Sequence, residues 1–132
     1  MLENDRFFME KQYHKFYELD IWKEGYELQK EIFELSLKFP KQGYDIVSQI
    51  NRSTNSIIAN IAESHGRFHF ADKIRVLYIS RGEIEETQSH IMVAVSRKYM
   101  TKQDGNLLIQ RYENLKMKLN GYISSFRTKE SQ

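Results

Sequence analysis

The residues best equipped for chemistry fall into four groups. His65 and His69 stand four apart, a spacing that would place two imidazoles on one helical face as metal ligands. Gly66 lies between them, where a helix is expected to break, and no carboxylate at ligand spacing completes the set. Glu83, Glu85 and Glu86 form an acidic cluster with His90 four residues on. A di-metal carboxylate bundle uses Glu-x-x-His pairs on two helices, and neither the spacing nor a second pair is present. Exposed turn histidines and a surface Arg81–Glu85 pair are the expected uses, and no metal or cofactor is expected. Gln49, Arg52, Ser56, Asn60 and Glu63 make a polar stripe at steps of three and four, and Arg67 continues it. With Glu86, the residues Gln49, Arg52, Asn60, Glu63 and Arg67 read as a structural polar network that sets helix packing and register. A ligand or nucleic-acid site is the alternative. Catalysis is not expected, because the stripe lacks a nucleophile and a tuned acid–base pair.

The fourth group is basic. From Arg97 onward there are eight Lys or Arg against three acidic residues. Arg52, Arg67, Lys73, Arg75 and Arg81 form a second basic set, and Tyr99, Tyr112 and Tyr122 interleave with the C-terminal one. Phosphate contacts with base stacking use this combination. The residues expected to contact RNA or DNA are Arg52, Arg67, Lys73, Arg75, Arg81, Arg97, Lys98, Arg111, Lys116 and Lys118. An ordinary solvated helical face is the competing reading. No Ser–His–Asp arrangement, Gly-rich phosphate loop or helix-turn-helix reader is found, and Arg81 to His90 is too long for the Arg–His pair of helical ribonuclease toxins.

Composition sets the frame for these groups. The chain has 132 residues, a formal net charge of +2, no cysteine and one proline, and 29% of its residues are charged. That length holds one core without a disulfide or thiolate metal site. The absence of cysteine fits a reducing cytoplasm, where the protein is expected to reside. The start, with Glu3, Asp5 and Arg6 around Phe7 and Phe8, is no signal peptide. No stretch approaches the roughly 20 apolar residues that span a bilayer.

The elements that must position these groups are helices. Ile21, Gly25, Leu28, Ile32, Leu35 and Phe39 alternate steps of four and three, with Asp20 placed to cap the start and Pro40 to stop it. Val47, Ile50, Thr54, Ile57 and Ile61 repeat the pattern up to Gly66, read as a left-handed stop. Ile74, Leu77, Ile84, Ile91 and Val95 mark a third helix, interrupted by Arg81 and Gln88. Thr101 and Asp104 open a fourth, which Leu108, Tyr112, Leu115, Leu119, Tyr122 and Phe126 carry. Short connections make sequential helices antiparallel neighbours. The expected fold is therefore all-α, an antiparallel up-down four-helix bundle. It spans residues 14–127, between an N-terminal extension (1–13) and a polar tail (128–132). Gly82 in mid-helix predicts a close approach by a neighbouring helix or subunit. The aromatics Phe7, Phe8, Tyr13, Phe16 and Tyr17 are expected to dock, on another subunit or on the bundle.

Several strings carry a family resemblance. Leu19-Asp20-Ile21-Trp22-Lys23, Phe39-Pro40-Lys41 and Ser48-Gln49-Ile50-Asn51-Arg52 belong to it. So do Asn60-Ile61-Ala62-Glu63 with Gly66-Arg67, Arg81-Gly82 and Glu86. Together they resemble the four-helix-bundle proteins encoded by intervening sequences in bacterial 23S ribosomal RNA genes, over about residues 14 to 127. Ser64, Glu83 and His90 depart from that pattern, where the family has Gly, Ser and Gln. The resemblance implies a small cytoplasmic bacterial protein of unassigned biochemical activity, and the residues lead to the expectation that it is not an enzyme. The family is similar to the accessory protein of diversity-generating retroelements, a homopentamer that binds a reverse transcriptase and nucleic acid. By that likeness, a homopentamer that binds RNA or DNA is expected, or a scaffold docking a protein partner such as a polymerase.

Overall fold

The computed structural model describes residues 15–130. Four helices follow one another: α1 (Asp20–Ser36), α2 (Tyr44–Gly66), α3 (Phe70–Ser96) and α4 (Lys102–Glu130). Single 3-10 turns, Phe16–Glu18 and Lys41–Gly43, precede α1 and α2. Each helix packs on its sequence neighbour and α4 closes back on α1, giving the expected antiparallel four-helix bundle. The expected docking of Phe7, Phe8 and Tyr13 lies outside the described residues. Phe16 does dock, edge-on to the Trp22 ring with centroids 5.3 Å apart.

The apolar stripes converge as their spacing requires. Leu28, Ile50, Ile57, Ile61, Leu77, Ile84, Ile91, Leu115 and Leu119 form one continuous core. Close helix approach occurs at Gly25, where an added Cβ would lie 2.6 Å from Ile58 Cγ2, and at Gly105 against Val95. At Gly82 the expected approach by a neighbouring helix is not made: among the described residues nothing lies within 4 Å of where its Cβ would be. It faces outward, so no neighbouring helix makes that approach.

Polar residues inside the stripes find partners across helices. Gln88 sits in the α3–α4 seam and donates to the Ile109 carbonyl at 3.2 Å and to Glu113 Oε1 at 3.1 Å. Ser53 and Thr87 share a buried hydrogen bond of 2.7 Å between α2 and α3, and Ser80 donates to the Ile57 carbonyl at 2.8 Å. These bonds fix the register of α3 against both neighbours, because slipping one turn would orphan every buried donor.

The helix ends correct two expectations and meet a third. Asp20 is the first helical residue and makes no capping bond; it acts as a carboxylate near the positive end of the helix. Gly66 ends α2 without a left-handed conformation. The left-handed residue is Lys98, with φ of 63°. The Tyr99 and Lys98 amides bond back to the Ala94 and Val95 carbonyls at 2.9 Å each, a Schellman closure of α3. Thr101 caps α4 as expected, accepting from the Asp104 amide at 3.0 Å.

Tyr112, expected among the stacking tyrosines, is fully buried in the core. Its hydroxyl has no hydrogen-bond partner among the described residues, and burial pushes its pKa up. Its ring fits the seam because the aromatic body alone satisfies the stripe. Tyr112→Phe is therefore expected to leave stability unchanged or raise it by about 1–2 kcal/mol, by removing an unpaired hydroxyl. Urea unfolding checks this, and a clear loss of stability would show that the hydroxyl holds a partner.

Candidate nucleic-acid interface

Six of the ten expected phosphate-contacting residues are engaged with carboxylates of the same chain. Arg97 holds Asp45 across α2 and α3 at 3.1 Å, and this pairing lowers the Asp45 pKa and raises that of Arg97. Arg111 pairs with Glu31 at 2.6 Å and Lys118 with Glu24 at 2.8 Å, both tying α4 to α1. Lys116 joins Glu85 on α3 at 2.7 Å and Glu113 at 3.2 Å. Arg67 pairs with Glu63 one turn back at 2.7 Å. Arg52 reaches Glu83 at 3.1 Å and also contacts Glu86. Such pairs on an exposed surface contribute about 0–1 kcal/mol each. They orient the helices and neutralise the flanks of the bundle.

The polar stripe on α2 divides into three local groups. In the first, Arg52 Nε donates to Gln49 Oε1 at 3.3 Å while the guanidinium spans Glu83 and Glu86, and His90 Nε2 lies 3.1 Å from Glu86. In the second, among the described residues, Asn60 bonds only within α2, donating to the Ser56 carbonyl at 2.8 Å and to Ser56 Oγ at 3.1 Å. Glu63 and Arg67 form the exposed pair at the end of the helix. The Arg81–Glu85 pair expected from sequence is not made. Glu85 goes to Lys116, and Arg81 instead donates to Asn120 Oδ1 on α4 at 2.9 Å.

Burial lowers the His90 pKa, with the Arg52 charge adding to the effect and Glu83 opposing it. The folded protein then resists a proton that the unfolded chain accepts. Stability from this site is present above the ordinary histidine range and is lost as pH falls through it. In guanidinium melts between about pH 6.5 and 5, before carboxylates titrate, stability is expected to fall, and His90→Gln should flatten that slope. Equal slopes for the two proteins would show that His90 is not responsible.

Of the other four, Lys73, Arg75 and Arg81 lie in the half of α3 toward the end of the bundle where α2 passes into α3 and α4 finishes, and Arg127 and Lys129 of α4 join them. The Arg81 guanidinium lies 4.6 Å from the centre of the Tyr78 ring, and that of Arg127 lies 5.2 Å from the same ring. Lys73 and Lys129 stand 5.7 and 5.6 Å from the Phe126 ring, which is stacked on Phe70 at 5.7 Å. Lys73 donates to the Ser64 and His65 carbonyls at 3.1 and 3.0 Å, closing the end of α2, and burial lowers its pKa. Arg75 is exposed one helical turn from Tyr78. Arg75, Arg81 and Lys129 make no ion pair with a carboxylate among the described residues. Lys98 is also exposed and without an ion pair there, but it stands at the opposite end, in the α3–α4 connection.

Sequence reasoning missed Tyr78, Asn120, Arg127, Lys129 and the aromatics Phe68 and Phe70 as parts of this end. The string Arg67-Phe68-His69-Phe70, aromatic and basic within a connection, was the available signal. The tyrosines expected to stack do other things. Tyr112 is core, Tyr99 packs on Phe39 at 5.6 Å, and Tyr122 lies edge-on to Phe126 at 4.7 Å.

Elsewhere, a groove of about 250 Å³ between α1 and α4 is lined by Glu31, Glu34, Lys38, Asp104 and Arg111 around Leu35, Leu107 and Leu108. It offers no nucleophile. Among the described residues no three His, Asp or Glu side chains gather as a metal requires. No helix among them is long and apolar enough to cross a membrane.

The class defined here is an antiparallel four-helix bundle with ion-paired flanks and one end where cations lie on aromatic rings. The chain belongs to the 23S rRNA-intervening sequence protein family, whose model matches residues 17–121. It is also similar to a crystal structure of a protein with unknown function from the S23 ribosomal protein family of Bacteroides thetaiotaomicron. The TM-score is 0.73 and the identity 24%, with 79% of this chain and 95% of that one covered, a likeness that shows the fold. A search of curated proteins found no match.

Proposed function

We propose that this protein is a non-enzymatic, self-associating bundle that binds RNA or DNA through the basic end formed by α3 and α4. One observation carries the reading: Arg81 and Arg127 both lie over the Tyr78 ring, with Lys73, Arg75 and Lys129 nearby on the same end. Guanidinium groups held on an aromatic face are weakly hydrated and pre-positioned, so they meet phosphate at little further entropic cost. Of the residues named from sequence, Arg75, Arg81, Lys73 and Arg67 belong to this end. Arg67, like Arg52, Arg97, Arg111, Lys116 and Lys118, would have to exchange a carboxylate for a phosphate, and Lys98 would form a separate contact.

Self-association is supported by the outward side of α3. Ile79 and Met92 are 47% and 58% exposed there, with Gly82 open between them. A homopentamer is the assembly that the family's likeness to retroelement accessory proteins implies, and a bacterial cytoplasm is the setting. The test is titration of labelled structured RNA and duplex DNA at several salt concentrations, with the mass of the assembly measured in the same buffer. On duplex DNA log K should fall linearly with log salt, by about 0.9 per phosphate neutralised.

A second reading has its own observation. Tyr26, Phe33 and Leu37 are exposed along one side of α1, at helical spacing. A protein partner such as a polymerase would dock on such a face. Absence of nucleic-acid binding at low salt, with pull-down of a partner lost on Phe33→Glu, would favour it.

A further inference from the structure

We infer that the nucleic acid at this end is taken with unpaired bases, and that Phe68 is the side chain on which a base stacks. The inference rests on the nucleic-acid reading above and narrows its ligand to single-stranded or looped RNA or DNA. Phe68 lies between α2 and α3 and is 88% exposed, the most exposed large apolar side chain among the described residues. The link that carries it is short and held at both ends. On the α2 side the Arg67 amide bonds to the Ser64 carbonyl at 3.2 Å, and Lys73 ties the Ser64 and His65 carbonyls to α3. On the α3 side the Lys73 amide bonds to the His69 carbonyl at 3.0 Å, and the His69 ring stands edge-on to Phe68 at 5.0 Å and 87°.

A bare aromatic ring in water is unfavourable, and a ligand face that covers it removes that apolar surface from solvent. The neighbours decide what covers it. Arg67, paired with Glu63, precedes it, and Arg75 and Lys129 stand on the same end without carboxylate partners among the described residues. An exposed ring at an end of the bundle that carries cations fits a ligand with both a π-face and phosphates. Bases within a duplex already stack on each other, so only unpaired ones offer a face. Phe68 has no donor or acceptor, so it stacks without choosing a base. Phe70 is less suited, because its ring is stacked on Phe126 and approached by Lys129 at 6.0 Å.

The experiment compares the full chain with Phe68→Ala and Phe68→Trp. The probes are a labelled unstructured oligoribonucleotide and a duplex of the same length. Phe68→Ala is expected to weaken oligonucleotide binding by about five- to a hundredfold, the range for one stacked base. Duplex affinity should stay within about twofold, and the salt slope should not change, because the ring neutralises no phosphate. Phe68→Trp should restore oligonucleotide binding. Equal affinity of wild type and Phe68→Ala for the oligonucleotide overturns the inference while leaving nucleic-acid binding standing. A changed assembly mass in Phe68→Ala also overturns it, since the ring would then be covered by another copy. Failure of the wild type to bind either probe overturns the nucleic-acid reading itself.

Discussion

Arg75→Glu combined with Arg81→Glu is expected to weaken nucleic-acid binding about a hundredfold at roughly 0.1 M salt, about tenfold for each phosphate left without its cation. The log–log salt slope on duplex DNA should become shallower by about 2. Neither residue has a carboxylate partner among the described residues, so reversal breaks no ion pair. The Arg81 substitution does remove the bond to Asn120 and the guanidinium over Tyr78. A thermal melt of the variant separates this local cost from the loss of affinity. The control is Lys118→Glu on the flank of α4, where the native side chain is occupied by Glu24 at 2.8 Å. Its effect on affinity should be small. If the double variant binds with wild-type affinity and slope at low salt, the basic end is not the interface. A larger loss in Lys118→Glu would move the site to the α1–α4 flank.

Leu115→Ala should lower the free energy of unfolding by about 2–5 kcal/mol. Leu115 is fully buried near the middle of α4 and faces α1, where Gly25 lets the helices approach. Truncation removes buried methyl groups and leaves a cavity that the neighbouring helix cannot collapse to fill, because Ile58 already stands against Gly25. At roughly 4 °C per kcal/mol for a chain of this size, the melting temperature should drop by about 8–20 °C. The measurement is a urea titration at fixed protein concentration, since self-association would make the midpoint concentration-dependent. A loss below about 1 kcal/mol would mean that the α1–α4 seam repacks, and that the core is less rigid there than its burial implies.

The stability and the affinity effects belong to different parts of the molecule, and the sequence revealed them unequally. The α1 stripe from Ile21 to Ile32 was legible because burial in a helix repeats every three to four residues, whatever the partner. The same holds for Ile50, Ile57 and Ile61 on α2 and for Leu108, Leu115 and Leu119 on α4. Tyr112 belonged to that periodicity too. Its type argued for stacking and its position argued for the core, and position decided. Thr101 was recognisable as a cap because capping is a local bond within four residues.

The choice of partners across helices was not local. Arg81 lies four residues from Glu85, yet one reaches Asn120 and the other Lys116, because α4 brings those side chains closer than the shared helix does. The same effect pairs Arg111 with Glu31 and Lys118 with Glu24, residues far apart in the chain. It divides a basic composition into ion-paired flanks and an end where Arg75 and Lys129 have no carboxylate partner among the described residues. The left-handed conformation fell on Lys98, not on Gly66, because the Schellman bonds at the end of α3 are favourable enough to hold a lysine there.

Sequence by itself therefore determined the number of helices, their order and their buried faces, since these follow from periodic hydrophobicity and short connections. The strings around Trp22, Asn51, Asn60 and Gly82 also carried the family, which the match over residues 17–121 establishes. Only the tertiary structure decided which charges remain available. A charge is neutralised by whatever stands within about 4 Å of it, and that distance is set by which helix faces pack together, not by spacing along the chain.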